Sequence, residues 1–276
     1  MIKCENCGKE LKFKWKYCPK CGEEKRYDYL LYIFDIIFAV YDLIIFLFKS
    51  KYGAMILLAN FTNINFIYFQ CKKEKFKNLE IILLIFYEIF GIIIGNKLLI
   101  YIINFYKHET ISFSKTGFSS YGAIIGILLM LLIYKNQFKK DIWKVLRISL
   151  IPVPIMYAIG KIGCAFAGCC YGIEYSGIWH VTYYHSLDAP NQVSLFPIQI
   201  IETIFFTIIF GFFFYSYKTS DKNRCSLLFI VCGITKFILD FFRANRNQLI
   251  SINQWISIVF IILGITILLF NKESKL

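Results

Sequence analysis

The apolar residues of this chain are gathered into long blocks instead of being spread at the spacing of a soluble core. They run from Tyr29 to Phe48, Ala54 to Phe69, Ile81 to Phe105, Tyr121 to Tyr134, Val145 to Ile162, Ile198 to Tyr215, Leu227 to Phe242 and Ile256 to Phe270. Most reach the roughly 20-residue length at which a helix crosses a hydrocarbon core. The pattern predicts an all-α membrane protein of about eight transmembrane helices, a few of them short or interrupted.

Composition agrees with this reading. With 58% hydrophobic and 18% charged residues, 276 residues carry more apolar surface than a soluble core of that size buries. The 31 Lys+Arg against 18 Asp+Glu do not point to nucleic acid, because the basic residues occupy alternate short loops between apolar blocks. Those runs are Cys71 to Lys77, Tyr134 to Lys144, Tyr217 to Arg224 and Asn271 to Lys275. With alternating helices they fall on one side, which the excess of cations makes cytoplasmic. The N-terminus and C-terminus are expected on that side too. No secretory signal is expected, since the first 27 residues are rich in Cys and Lys.

Residues 1–27 form a module of their own. Cys4 and Cys7 make one Cys-x-x-Cys knuckle followed by Gly8, and Cys18 and Cys21 make a second followed by Gly22. The glycines permit the tight turns that aim thiolates at one metal, and four thiolates suit a tetrahedral structural zinc. A disulfide pair is the rival, against which a cytoplasmic setting argues. Four thiolates leave no open coordination position, so this zinc is expected to hold a fold or the surface for a cytoplasmic partner, not to catalyse.

Within the apolar blocks, ionisable residues are where function is to be sought, because each is costly unless it faces a polar cavity or a partner. Glu88, Lys97, Lys161, Glu202, Lys236, Asp240 and Arg243 lie in or at the ends of these segments. Structural ion pairs are the simpler account of any one of them. Lys97, Lys161 and Arg243 fall near non-cytoplasmic helix ends, where a group of cations suits an anionic lipid headgroup. Asp35 and Asp42 share a helix face, and the small-xxx-small patterns Gly91 to Gly95 and Gly122 to Gly126 are read as helix-packing devices. The stretch from Gly163 to Leu195 opens with an unusual density of glycine and cysteine, including Cys164, Cys169 and Cys170. Small packing residues or a disulfide account for these most simply. No ligand-like His spacing accompanies them, and His180 and His185 are a weak pair.

At this segment the chain resembles the prolipoprotein diacylglyceryl transferase family, over almost everything after residue 50. Lys51-Tyr52-Gly53 is similar to the family's aromatic-Tyr-Gly start, Gly95-Asn96-Lys97-Leu98 to its Gly-x-Arg-Leu, and Ser120 to Gly126 to its His/Tyr-Gly-Gly-x-x-Gly. Residues 160–172, GKIGCAFAGCCYG, resemble its signature segment in a Cys-containing form. Pro197-Ile198-Gln199 with Glu202 matches Pro-x-Gln-x-x-Glu, and Lys236 through Arg243 and Asn253 through Ser257 match its last two helices.

The resemblance implies transfer of the diacylglyceryl group of phosphatidylglycerol to the lipobox cysteine thiol of a prolipoprotein signal peptide, in the bacterial plasma membrane and without a cofactor for catalysis. It implies catalytic roles for Tyr121, Lys161, Lys236 and Asp240. It further implies substrate binding by Tyr52, Lys97, Gly122, Cys164, Cys169, Gly172, Gln199, Glu202 and Arg243. Lys161 and Lys236 stand where the family has arginines, Asp240 where it has Glu, Cys164 where it has Asn and Cys169 where it has Glu. The implied division is a ribbon over 1–27, an extra transmembrane helix over 28–50 and a transferase-like domain over 51–276. Another anionic lipid, a different acceptor, a transient acceptor among the cysteines, and a non-catalytic lipid-binding or sensory relative stay open as alternatives.

Overall fold

The computed structural model describes residues 2–3, 7, 10–11, 18–22, 50–106, 119–218, 223–244 and 250–273. The chain divides into two compact units, Met1–Ile45 and Phe46–Leu276. In the first, strands β1 (Ile2–Lys3) and β2 (Glu10–Leu11) pair antiparallel, Ile2 opposite Leu11. Cys4, Asp35, Asp42 and the expected first helix lie outside the described residues.

The second unit is helical. Its elements are α1 (Lys51–Lys73), α2 (Asn78–Tyr106), α3 (Ser120–Phe138), α4 (Ile142–Leu150), α5 (Val153–Ala167), α6 (Ile198–Tyr215), α7 (Asn223–Leu239) and α8 (Ile252–Glu273). A short hairpin, β3 (Val181–Thr182) with β4 (Ser194–Leu195), lies between α5 and α6. Ser50, Ser119 and Asp141 start α1, α3 and α4 by accepting the backbone N–H of Gly53, Gly122 and Trp143, as short polar side chains do at helix N-termini.

Among the described residues, six segments are long and apolar enough to cross a membrane, namely Asn78–Ile103, Ser120–Phe138, Ile142–Ala167, Ile198–Tyr215, Asn223–Phe242 and Ile252–Phe270. The expectation of about eight therefore differs at two places. Tyr29 to Phe48 falls outside the described residues, and α1 forms over the second block but is too polar for that criterion. Several of its amide N–H groups nonetheless donate within the protein. Asn60 and Asn65 donate to Ile56 O and Phe61 O, both at 2.8 Å, and Asn63 donates to Glu88. The block from Val145 to Ile162 is broken by a turn at Ile151 and Pro152, where proline lacks the N–H that continues a helix.

Helices α2 and α3, α7 and α8, α1 and α5, and α5 and α6 pack in pairs. The first pair meets through glycine. A Cβ on Gly95 would strike the carbonyl oxygen of Gly122, and one on Gly126 that of Gly91, so GIIIG and GAIIG are one packing seam. One core gathers Ile67, Leu84, Leu131, Tyr134 and Ile148, and a second gathers Tyr121, Leu150, Phe206, Phe213, Phe229 and Phe260. Large apolar side chains also face outward, among them Phe61, Phe86, Leu129, Ile208, Phe212 and Val259. An apolar outer surface of that extent belongs against lipid, where no hydrophobic penalty attaches to it.

Three of the basic loops, those at residues 71–77, 134–144 and 217–224, meet at one end of this unit. Lys144 pairs with Glu74 at 2.8 Å, Arg147 with Glu74 at 3.6 Å and Lys140 with Glu80 at 2.9 Å, while Arg147 lies over the Tyr217 ring at 5.4 Å. The segment between α5 and α6 meets the one between α7 and α8, with Ile173 N donating to Phe242 O at 3.0 Å and Ala244 N to Tyr171 O at 3.2 Å.

Candidate active site

Glu202 lies in the second turn of α6, after Pro197 has ended the preceding extended chain, and its carboxylate is fully buried. An uncompensated carboxylate in such a place is very costly. Here it is surrounded by donors. Lys161 Nζ approaches Oε2 at 2.8 Å, Lys236 Nζ donates to Oε1, and Arg243 Nη2 reaches Oε1 and Oε2 at 3.2 and 3.1 Å. The Tyr157 hydroxyl donates to Oε1 at 3.0 Å.

The cations come from different elements. Lys161 projects from α5, Lys236 from the last turn of α7, and Arg243 from just past the 3-10 turn Asp240–Phe242. Arg243 is held there by backbone pairing with Gly172. At that crossing a Cβ on Gly172 would strike the Phe196 carbonyl oxygen, so only glycine lets the strands approach. Asp240 is the second carboxylate. Its Oδ1 lies 3.8 Å from Lys236 Nζ and 3.7 Å from Arg243 Nε, and the Ser251 hydroxyl donates to Oδ2.

Three cations against two carboxylates leave a formal excess of one positive charge in a buried group. Charge interactions are strong in such low-dielectric surroundings, and the excess suits an incoming anion. The Tyr157 ring lies 5.1 Å from Lys161 Nζ and 5.6 Å from Lys236 Nζ, a cation–π arrangement that holds both ammonium groups near one ring.

Beside this group is an apolar hollow whose walls include Ile124, Val153, Phe206, Phe229 and Phe260. Its polar members include Tyr121, Tyr157 and Lys236, so the hollow and the ionic group share side chains. Tyr121 is buried, its hydroxyl donating to Asn253 O at 3.1 Å and sharing a hydrogen bond with Ser257 Oγ at 2.7 Å, its ring stacked on Phe260 at 5.9 Å. An apolar hollow with a few polar groups on its wall is the form of a small-molecule site.

The residues expected from sequence thus separate into groups. Lys161, Glu202, Lys236, Asp240 and Arg243 converge as ion pairs. Gln199 is buried beside them, donating to Cys169 O at 3.1 Å and to the Tyr183 hydroxyl at 3.2 Å. Tyr52 packs against Gly163, where a Cβ would lie 3.0 Å from its ring. Gly122 belongs to the α2–α3 seam. Lys97 lies on α2 and is not among the ion-pair partners of Glu202 or Asp240. His180 and His185 are exposed, and His180 Nδ1 meets Gly177 O at 2.9 Å.

Sequence reasoning passed over Tyr157 and Ser251. Tyr157 stands four residues before Lys161, one turn away on the same helix face, and that spacing was the available signal. In the first unit, the thiols of Cys7, Cys18 and Cys21 all lie within 4.8 Å of one another, as the knuckles require. Burial pushes the Cys18 thiol up, but the backbones of Lys20 and Cys21 and the thiols of Cys7 and Cys21 outweigh it and carry its pKa down to about 6. A thiol shifted in that direction is readied to act as a thiolate ligand.

Comparison with known proteins agrees with this architecture. Residues 41–270 match the sequence profile of the prolipoprotein diacylglyceryl transferase family. The chain is 32% identical over 234 residues to a phosphatidylglycerol–prolipoprotein diacylglyceryl transferase of Clostridium tetani, covering 81% of this chain and 94% of that protein. It is 34% identical over 164 residues to the phosphatidylglycerol–prolipoprotein diacylglyceryl transferase 2 of Clostridium perfringens, covering 56% of this chain and 63% of that one. A Tolumonas auensis transferase of the same name is 25% identical over 209 residues, 70% of this chain and 79% of its own length. With its apolar membrane-crossing helices and a profile match over most of its length, the chain is a multi-pass membrane protein that belongs to the prolipoprotein diacylglyceryl transferase family.

Proposed function

We propose that the chain transfers the diacylglyceryl group of phosphatidylglycerol to the lipobox cysteine thiol of a prolipoprotein. The observation that carries this reading is the junction of a buried, net-cationic group with an apolar hollow through Tyr157 and Lys236. A glycerophospholipid has the same two halves. Its phosphate would exchange into the contacts that Lys161, Lys236 and Arg243 make with Glu202, and its acyl chains would enter the hollow.

Reaction requires a C–O bond between glyceryl carbon and phosphate to break as the thiol sulfur bonds to that carbon. Negative charge grows on the departing phosphate oxygen, and prearranged cations stabilise that charge without further reorganisation. Lysines supply charge but not the two-pronged donor geometry of arginine, so Arg243 is the one group here that engages two phosphate oxygens at once. Asp240 orients Arg243 and Lys236. Tyr121 serves as a hydrogen-bonding group near the reacting thiol, since a phenol with an ordinary pKa near 10 is a poor base at neutral pH. Tyr52, Gln199 and Gly172 shape the site, with Lys97 contributing through helix α2 and Gly122 through helix α3.

The basic loops that meet at one end support a cytoplasmic assignment for that end and for both termini, in a bacterial plasma membrane. Residues 1–27 are a zinc ribbon in which Cys4, Cys7, Cys18 and Cys21 hold a structural zinc. Residues 28–50 cross the membrane, and 51–276 form the transferase domain. With its ligand sphere closed, the ribbon offers a surface to a cytoplasmic partner and takes no part in transfer.

The test is incubation of the protein in nanodiscs with phosphatidylglycerol and a lipobox peptide, followed by mass spectrometry. Thioether-linked diacylglyceryl peptide with release of glycerol phosphate is expected, disappearing in Lys161→Ala and Lys236→Ala. No product beside an active relative under the same conditions would overturn the assignment.

A further inference from the structure

Arg243 faces two carboxylates and is hydrogen-bonded to one. Its Nη2 contacts both oxygens of Glu202, while its Nε stands 3.7 Å from Asp240 Oδ1. That distance is too long for a hydrogen bond. Both atoms are buried, and neither has a hydrogen-bond partner among the described residues. A buried donor and a buried acceptor are costly while apart, and joining them removes that cost. The Lys236 ammonium, 3.8 Å from the same oxygen, leaves the gap open.

Asp240 is anchored from its other side. The Ser251 hydroxyl donates to Asp240 Oδ2. The same hydroxyl oxygen accepts the backbone N–H of Gln254 at 3.1 Å, and Gln254 Oε1 accepts the Ser251 N–H at 2.9 Å. Serine and a glutamine three residues later, bonded reciprocally in this way, form a capping box, and α8 begins directly after it. Gln254 is fully buried, and its Nε2 donates to Phe237 O at 3.2 Å in the last turn of α7. One hydroxyl therefore starts α8 and fixes one oxygen of Asp240, while the glutamine of the same box ties that start to the end of α7. A helix cap needs the hydroxyl only as acceptor, so the bond it donates to Asp240 is an addition that capping does not explain.

We propose that Ser251, backed by Gln254, is a positioning residue that holds Asp240 ready to take Arg243 when a lipid phosphate displaces Glu202. The identity of that anion rests on the transferase reading. A phosphate entering beside Arg243 takes over the Nη contacts now made to Glu202. A movement of the guanidinium by about 1 Å then brings Nε to hydrogen-bond distance of Asp240 Oδ1. Arg243 is left with a carboxylate behind it and phosphate oxygens in front, a two-sided arrangement that a lysine ammonium does not reproduce. Ser251 touches neither lipid nor thiol and acts only through Asp240.

The test reads phosphatidylglycerol binding to the full-length protein without turnover, from the rise of the unfolding midpoint in detergent as the lipid is titrated against a phosphatidylcholine control. Ser251→Gly removes the hydroxyl at a cap position where glycine is well tolerated, and it is expected to bind phosphatidylglycerol about tenfold more weakly. Ser251→Thr keeps donor and cap and is expected within about twofold of wild type. In an Asp240→Ala background, Ser251→Gly is expected to change affinity by less than about twofold, because the residue it acts through is gone. A purely structural cap would lower the lipid-free midpoint of Ser251→Gly and leave its lipid affinity at the wild-type value, which would overturn the proposal. Equal losses of affinity with and without Asp240 would overturn it as well. Should Ser251→Gly fail to fold, a structure of the wild type with phosphatidylglycerol bound decides the matter: Arg243 Nε about 3 Å from Asp240 Oδ1 is expected, and Arg243 still on Glu202 overturns the hand-over. A wild-type midpoint indifferent to phosphatidylglycerol would overturn the phosphate site and the hand-over together. Absence of thioether product from protein that binds the lipid would overturn transfer alone.

Discussion

Glu202 and Glu88 are both buried on membrane-crossing helices, yet their surroundings differ in kind. Glu202 is reached by Lys161, Lys236, Arg243 and the Tyr157 hydroxyl. Glu88 takes a hydrogen bond from Asn63 Nδ2 at 3.0 Å, and no ion pair to it is found among the described residues. The difference separates a structural acid from a site. A carboxyl group among neutral partners joins two helices, here α1 and α2, and has no surplus of charge to offer a ligand. A carboxylate encircled by cations is a counter-ion that a competing anion can replace in part, and that exchange is what a phosphate-binding site needs.

The largest effect is expected from Glu202→Gln. It leaves three buried cations without their common counter-ion, and breaking one partner of a buried pair costs about 3–5 kcal/mol. Transfer to a lipobox peptide should fall to background and the thermal unfolding midpoint in nanodiscs should drop by several degrees. Activity within a factor of about three of wild type would remove Glu202 from the centre of the site.

Tyr157→Phe is next. The ring stays over the ammonium groups while the hydroxyl bond to Glu202 is lost, an interaction with a charged group of about 1.5–3 kcal/mol. Initial rates should fall by about tenfold or more, with unfolding shifted less than by Glu202→Gln. Equal losses in the two variants would mean that the hydroxyl, not the cation set, organises the carboxylate.

Lys161→Arg probes the departure from the usual arginine. A guanidinium adds a second phosphate contact, and the KM for phosphatidylglycerol should fall by about two- to fivefold while kcat changes little. A rise in KM would show that the space around Tyr157 and Glu202 has been fitted to lysine. Smallest of all should be Glu88→Gln, which keeps the shape and the Asn63 contact. Unfolding should move by less than about 1 kcal/mol and transfer rates should match wild type. A dead but folded variant would erase the distinction between the two acids.

Much of the site was legible because ionisable residues are conspicuous in apolar blocks. Lys161, Glu202, Lys236, Asp240 and Arg243 stand out on that ground alone, and the family motifs order them. Tyr157 was not legible, since a tyrosine in an apolar helix looks like any interfacial aromatic until its hydroxyl is seen on a carboxylate. The GIIIG and GAIIG patterns announced close packing, but not that they pack on each other. Pro152 was visible in the sequence, yet the run from Val145 to Ile162 reads as continuous because its flanks are apolar on both sides. The cysteines of residues 164–170 read from their residue types as small packing residues or a disulfide, with Cys164 and Cys169 placed in substrate binding only by resemblance, and their convergence stayed hidden because the left-handed backbone at Cys170 has no signature in residue type.

The sequence by itself determined that the chain crosses a membrane many times, which loops share a side, and which residues are too costly to bury without a purpose. Those properties follow from transfer free energies, which depend on local composition and block length. Only the tertiary structure decided which cation meets which carboxylate, that the ionic group opens onto an apolar hollow, and that three thiols from one helix end converge. Those contacts join elements far apart in the chain or depend on one unusual backbone angle, and helix packing selects them at a precision of an ångström that no pattern of hydropathy encodes.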